Sequence, residues 1–167
     1  MELIIKKIGI FFCLVFFAVS CSSGNLSPAN NIKPAYDYSH KLQVGKEILF
    51  VEVVSDSKKM QDGLSNRESL AENNGMLFDF GKEKTAPTFW MKDMKFDLDL
   101  IWIADKKIIG ITPNVHAPIG NWKLEIGNFP LYSPPAPITQ VLEVNSGWSN
   151  KHEIKTGDDV SLVNYSN

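Results

Sequence analysis

Residues 96–112 read FDLDLIWIADKKIIGIT. Phe96 to Ile103 is aromatic and β-branched, Asp105-Lys106-Lys107 is a polar break, and Ile108 to Thr112 is apolar again. This pattern predicts two strands joined by a tight turn, an antiparallel hairpin. Working outward, Ile48–Val54 (ILFVEVV), Met76–Phe80, Thr88–Met91, Ile138–Asn145 (ITQVLEVN) and Val160–Val163 read as further strands. Asp56 or Ser57 caps a short helix running toward Gly63, with Met60 and Leu64 four apart on one face. Asn73-Asn74-Gly75, Ser146-Gly147 and Gly157-Asp158 punctuate the strands. Pro113 to Pro137 holds six of the nine prolines and reads as one long irregular stretch, because proline has no backbone donor for a central sheet. Six or seven strands with one helix predict a mainly β (α+β) fold, a small antiparallel β-barrel or roll with a long Pro-rich loop. No βαβ rhythm, glycine-rich dinucleotide pattern or phosphate-binding loop is present.

The chain has 167 residues, with 17 Lys+Arg against 19 Asp+Glu and a formal charge of −2. No basic stripe marks a nucleic-acid partner, and none is expected. Residues 1–20 read as a lipoprotein signal peptide. Lys6 and Lys7 precede the apolar run Ile8–Val19, which is too short to span a membrane, and Ala18-Val19-Ser20 lead into Cys21. Small residues before a cysteine resemble the lipobox of bacterial lipoproteins, which implies cleavage before Cys21 and acylation of its thiol. Cys13 then leaves with the signal, so no thiol remains for catalysis. Residues 21–40 read as the lipidated cysteine and a flexible tether rich in Ser, Asn and Pro, and residues 41–167 as one domain. Loss of Glu2, Lys6 and Lys7 leaves 15 basic against 18 acidic residues, a net charge of −3. The lipid rather than surface charge is therefore expected to hold the protein at the membrane, exported in the bacterial cell envelope.

A series of motifs follows in order: Gly63-Leu64, Arg67 and Leu70; Gly75-Met76-Leu77-Phe78-Asp79-Phe80; Phe89-Trp90-Met91-Lys92-Asp93; Asp97-Leu98-Asp99; Tyr132-Ser133-Pro134; Val141-Leu142-Glu143; Gly147; and Gly157-Asp158. Together they resemble the family catalogued as domain of unknown function 192, over about Val51 to Val160. Asp93 stands where that family has Asn, and Asp97 where it has Pro. The resemblance implies a fold and frequent export or lipid anchoring, but no activity.

Inside those motifs the polar residues are Arg67, Lys92, Asp99, Glu143 and Asp158. Were their strands neighbours, Asp99, Glu143 and Lys92 would converge as two carboxylates and an ammonium, a set suited to hydrolase-type acid–base chemistry. The plainer alternative is an ion pair that fixes strand register; Asp158 reads as a turn former. Trp122, Phe129 and Tyr132 in the Pro-rich loop, with Arg67, are candidate ligand-binding residues, offering flat faces and polar groups. His40, His116 and His152 are scattered, so no zinc site is expected. Met60, Met76, Met91 and Met94 are donors of the kind copper(I) takes, but core packing accounts for them. No metal or cofactor is expected. The reading preferred is a non-enzymatic, lipid-anchored envelope module that binds an extracytoplasmic ligand or envelope protein. A carboxylate-pair enzyme and a structural accessory of an envelope assembly are the alternatives.

Overall fold

A computed structural model describes residues 36–118 and 130–163. The signal segment, Cys21, most of the tether, and Trp122 and Phe129 lie outside the described residues. Nine elements follow in order: β1 (His40–Val44), β2 (Glu47–Val54), α1 (Ser57–Asp62), β3 (Asn74–Asp79), β4 (Leu98–Ala104), β5 (Lys107–Val115), β6 (Gln140–Asn145), α2 (Trp148–Lys151) and β7 (Val160–Leu162). The strands form one sheet in the order β5-β4-β6-β3-β2-β1-β7. Every pairing is antiparallel except β2 with β3, whose connection carries α1.

The sheet curls into a half-barrel. Its edge strands meet at one end, where Ile108 N donates to the Asp158 carbonyl at 3.0 Å and Val160 N to that of Lys106 at 2.8 Å. The mainly β fold expected from the sequence is therefore present. One core draws on all seven strands: Leu42, Val44, Leu49, Val51, Leu77, Ile101, Ile103, Ile108, Leu142, Val144 and Val160, closed by Trp148 and Ile154. The other face carries Val54, Met76, Phe78, Leu98, Leu100, Trp102 and Val141, and is covered by Leu64, Leu70, Met91 and Met94 from irregular segments. Because both faces are covered, all seven residues of β4 are buried. That accounts for its near-continuous apolar sequence.

The 96–112 hairpin forms with a two-residue turn at Asp105 and Lys106, both at positive φ. Such turns match the right-handed twist of the flanking strands. Three expectations need correction. Thr88–Met91 is not a strand; it contributes only an isolated bridge between Phe89 and Tyr132. The irregular stretch does not begin at Pro113, because β5 runs on to Val115. As an edge strand, β5 tolerates a residue with no backbone donor. The fold also starts before residue 41: β1 opens at His40, and Tyr38 packs on the second core. The four-residue helix α2 has no sequence signal of its own, since Gly147 supplies no capping side chain.

Asp99 provides the missing cap. It is fully buried on the first-core face of β4. Its carboxylate accepts from the backbone N–H groups of Asn114 at 2.9 Å, Gly147 at 3.0 Å and Ser149 at 3.0 Å, and from the Ser149 hydroxyl at 2.5 Å. One side chain thus ties β4 to the end of β5 and the start of α2. An amide would turn a donor toward these donors. Asp99→Asn is expected to cost roughly 3 kcal/mol or more of unfolding free energy, read by chemical denaturation.

Candidate functional site

Glu143 occupies the opposite face from Asp99. Along β6, Val141 belongs to the second core, and Leu142 and Val144 to the first, so alternation puts Glu143 on the second-core side. Register sets it beside Met76 of β3 and Leu100 of β4, and Met76 beside Glu52 of β2. The row therefore runs Glu52, Met76, Glu143, Leu100 across four strands, which places the two acids roughly 10 Å apart.

Arg67 lies over this row, 7 % exposed. Its Nη2 donates to Glu52 Oε2 at 2.9 Å and its Nη1 to the Tyr38 hydroxyl at 3.2 Å. The Tyr36 ring stacks against the guanidinium, 3.7 Å from ring centroid to Cζ. Arg67 is thereby committed to Glu52 and the two tyrosines.

Glu143 is also 7 % exposed, yet has no hydrogen-bond partner among the described residues. Burial pushes its carboxyl up to about 8, against which the positive charge of Arg67 acts more weakly. At neutral pH it is mostly the uncharged acid.

Above Glu143 is a pocket of about 40 Å³, lined also by Met60, Phe78, Phe89, Trp90, Met91 and Met94. Three local structures shape it. Asp56 caps α1 by accepting from Lys59 N at 2.9 Å, and Gly63 ends the helix at positive φ, which presents Met60 half-buried. The 91–94 turn closes with Met94 N on the Met91 carbonyl at 3.2 Å. Its Asp93 sits at φ 57°, a left-handed conformation that Asn and Asp adopt more readily than other side chains. Aspartate thus meets the same backbone need as the asparagine that the resembled family carries there. The two walls are tied by Asn66 N to the Asp93 carbonyl at 2.8 Å and the Ser65 hydroxyl to the Lys92 carbonyl at 3.0 Å. Below, β3 and β6 approach so closely that a Cβ on Gly75 would fall 2.9 Å from the Glu143 carbonyl.

The carboxylate pair drawn from the sequence does not assemble. Asp99 and Glu143 stand on neighbouring strands one residue out of register, and strand alternation sends them to opposite faces. Lys92 is exposed, with its ammonium 5.5 Å from the Trp90 ring centroid, so it does not complete an acid–base set with them. Arg67 does reach this region, as a partner of Glu52. Tyr132 is half-buried against the second core, and its backbone pairs with Phe89 in both directions, at 2.8 and 2.9 Å, bracing a segment of the pocket wall. Asp158 accepts from Lys155 N at 2.9 Å within its turn. Glu52 was not singled out from the sequence, although one charge in a β-branched strand was the available signal. A wider, open groove of about 420 Å³ lies near Lys84, Asp105 and Pro135. There Lys84 is paired with Asp105 and Lys107 with Asp159, leaving those charges already engaged.

A carboxyl raised on folding favours the folded state most at low pH. Below about pH 4.5 both states hold the proton. Between about 4.5 and 8 only the unfolded chain gives it up, so stability falls, and above about 8 it levels. Arg67, Glu52 and pocket-lining Asp62 are the charged groups around Glu143. Across that window the wild type should lose on the order of 4 kcal/mol more stability than Glu143→Gln, measured by denaturation at a series of pH values.

Three comparisons place this geometry among known proteins. The chain is 28% identical to a Sinorhizobium meliloti 1021 protein described as a candidate transcription regulator, with a TM-score of 0.64 over 74% of this chain and 92% of that one. It is 25% identical to a Novosphingobium aromaticivorans DSM 12444 protein of unknown function, with a TM-score of 0.63 over 72% and 83% of the two chains. No curated protein matches it. The pattern of domain of unknown function 192, described as an uncharacterised ACR, matches residues 40–162. With the match spanning β1 to β7 and every wall of the Glu143 pocket, the chain belongs to the domain of unknown function 192 family.

Proposed function

We propose that this chain is a lipid-anchored module of the bacterial cell envelope that presents a small-ligand site, the Glu143 pocket, outside the cytoplasm. The observation that carries the binding role is Glu143 itself. A carboxyl buried on an apolar face without a hydrogen bond lowers stability. Its nearest cation is held by another acid, so register or charge balance does not require it. Groups retained at stability's expense are characteristic of functional sites. The anchoring role rests on the charged start, apolar run, small residues and Cys21 of the first 21 residues. Among the described residues no helix is long and apolar enough to cross a membrane.

The enzyme alternative loses its carboxylate pair, because Asp99 is spent on α2 and faces away from Glu143. Nor is regulation of transcription carried over from the Sinorhizobium protein. The formal charge is −2, and Lys84, Lys95, Lys107 and Lys151 each pair with an acid.

A two-part test addresses both halves. Labelled palmitate should enter the full chain expressed in a bacterial host and not its Cys21→Ser form; equal labelling removes the anchor. Glu143→Leu should match or exceed wild-type stability at pH 7, by up to about 3 kcal/mol. A loss of about 3–5 kcal/mol, the cost of breaking a buried ion pair, contradicts the binding role.

A further inference from the structure

We propose that the Glu143 pocket takes a single soft monovalent cation, copper(I), with the thioethers of Met60, Met91 and Met94 as donors and the Glu143 carboxylate as counter-charge; this rests on the reading of that pocket as a ligand site. Of the chain's five methionines, three line this one pocket, and they come from two separate segments, α1 and the 91–94 turn. Packing alone would be served as well by leucine, which fills the same volume in a better-defined shape. Thioether sulfur is a soft donor that selects copper(I) over the harder divalent ions. Among the described residues no group of three His, Cys, Asp or Glu is placed to hold a metal, so a site for a harder ion is not offered in their place.

Size points the same way. A pocket of about 40 Å³ holds an ion or a few waters. Pockets for organic ligands generally occupy about 300–1,000 Å³. Charge agrees too. Three thioethers are neutral, so a monovalent cation needs one anion; of the two acids that line the pocket, Asp62 is paired with Lys58 at 2.8 Å, and Glu143 is the one without a hydrogen-bonded partner. A cation beside it favours its ionised form. The aromatic rings of Phe78, Phe89 and Trp90 share the lining with the polar residues Gln61, Asp62 and Ser65. The tie between the 63–67 and 91–94 segments keeps the methionines of both walls facing one space.

The test uses the full-length chain in detergent with Cys13→Ser and Cys21→Ser, so that no thiol competes. Copper(I), kept reduced without oxygen, is titrated against the chromogenic chelator bicinchoninate. The expected result is withdrawal of one equivalent of copper(I) per chain. Met91→Leu and Met94→Leu should each weaken it tenfold or more, and Glu143→Gln should weaken it as well. Met76→Leu, a methionine in the core that does not line the pocket, should leave it unchanged. Circular dichroism confirms that each variant is folded. No withdrawal by the folded wild type overturns the copper(I) assignment, as does withdrawal that survives Met91→Leu combined with Met94→Leu. The pocket reading fails separately, by the stability loss of Glu143→Leu. A stable Glu143→Leu beside a wild type that ignores copper(I) rejects the metal and keeps the pocket.

Discussion

Arg67 can neutralise one buried carboxylate, and the geometry gives that place to Glu52. The guanidinium donates from Nη2 to Glu52 at 2.9 Å and from Nη1 to Tyr38 at 3.2 Å, and one of its faces lies against the Tyr36 ring. Glu143, two strands away on the same face with Met76 between, receives only the distant field of that charge. Everything distinctive about the second face follows. The acid is held mostly uncharged, it has no hydrogen bond among the described residues, and the space above it remains open to a small occupant.

The two faces of the sheet treat their acids in opposite ways. Asp99 is enclosed by three backbone N–H groups and a hydroxyl, and acts as the remote cap of a helix whose own N-cap position is glycine. Removing it orphans several donors at once. Glu143 makes no hydrogen bond among the described residues, so its removal orphans nothing. A residue's burial alone does not separate these cases; the identity of the atoms facing it does. The same distinction sets the small Glu143 pocket apart from the wider groove beside Lys84, whose charges already answer one another.

Much of the fold was legible because the relevant signals are local. Alternation and β-branching mark β2, β3, β4, β6 and β7, and Asp56 with Gly63 brackets α1. The Asp105-Lys106 turn announces the β4–β5 hairpin. What escaped depends on distant partners. His40–Val44 alternates too weakly beside a tether-like stretch and becomes a strand by pairing with both β2 and β7. Helix α2 is capped from β4, almost fifty residues away in sequence. The candidate site divides likewise. Glu143 and Arg67 stood out as charges within apolar motifs. Their separation from Asp99 follows from a one-residue offset in register between β4 and β6, which no single strand records. Glu52 reads as an ordinary strand residue until the fold pairs it with Arg67, and Met60, Met91 and Met94 read as core residues until topology gathers them around one pocket.

The central claim is that Glu143 is an uncharged acid facing a pocket and not half of an ion pair. The most direct measurement is the carbon-13 chemical shift of its side-chain carboxyl as a function of pH, in the protein without added metal. The account predicts a transition near pH 8. A transition below the ordinary carboxyl value of 4.5 would show an ionised Glu143 paired with Arg67, and would contradict it.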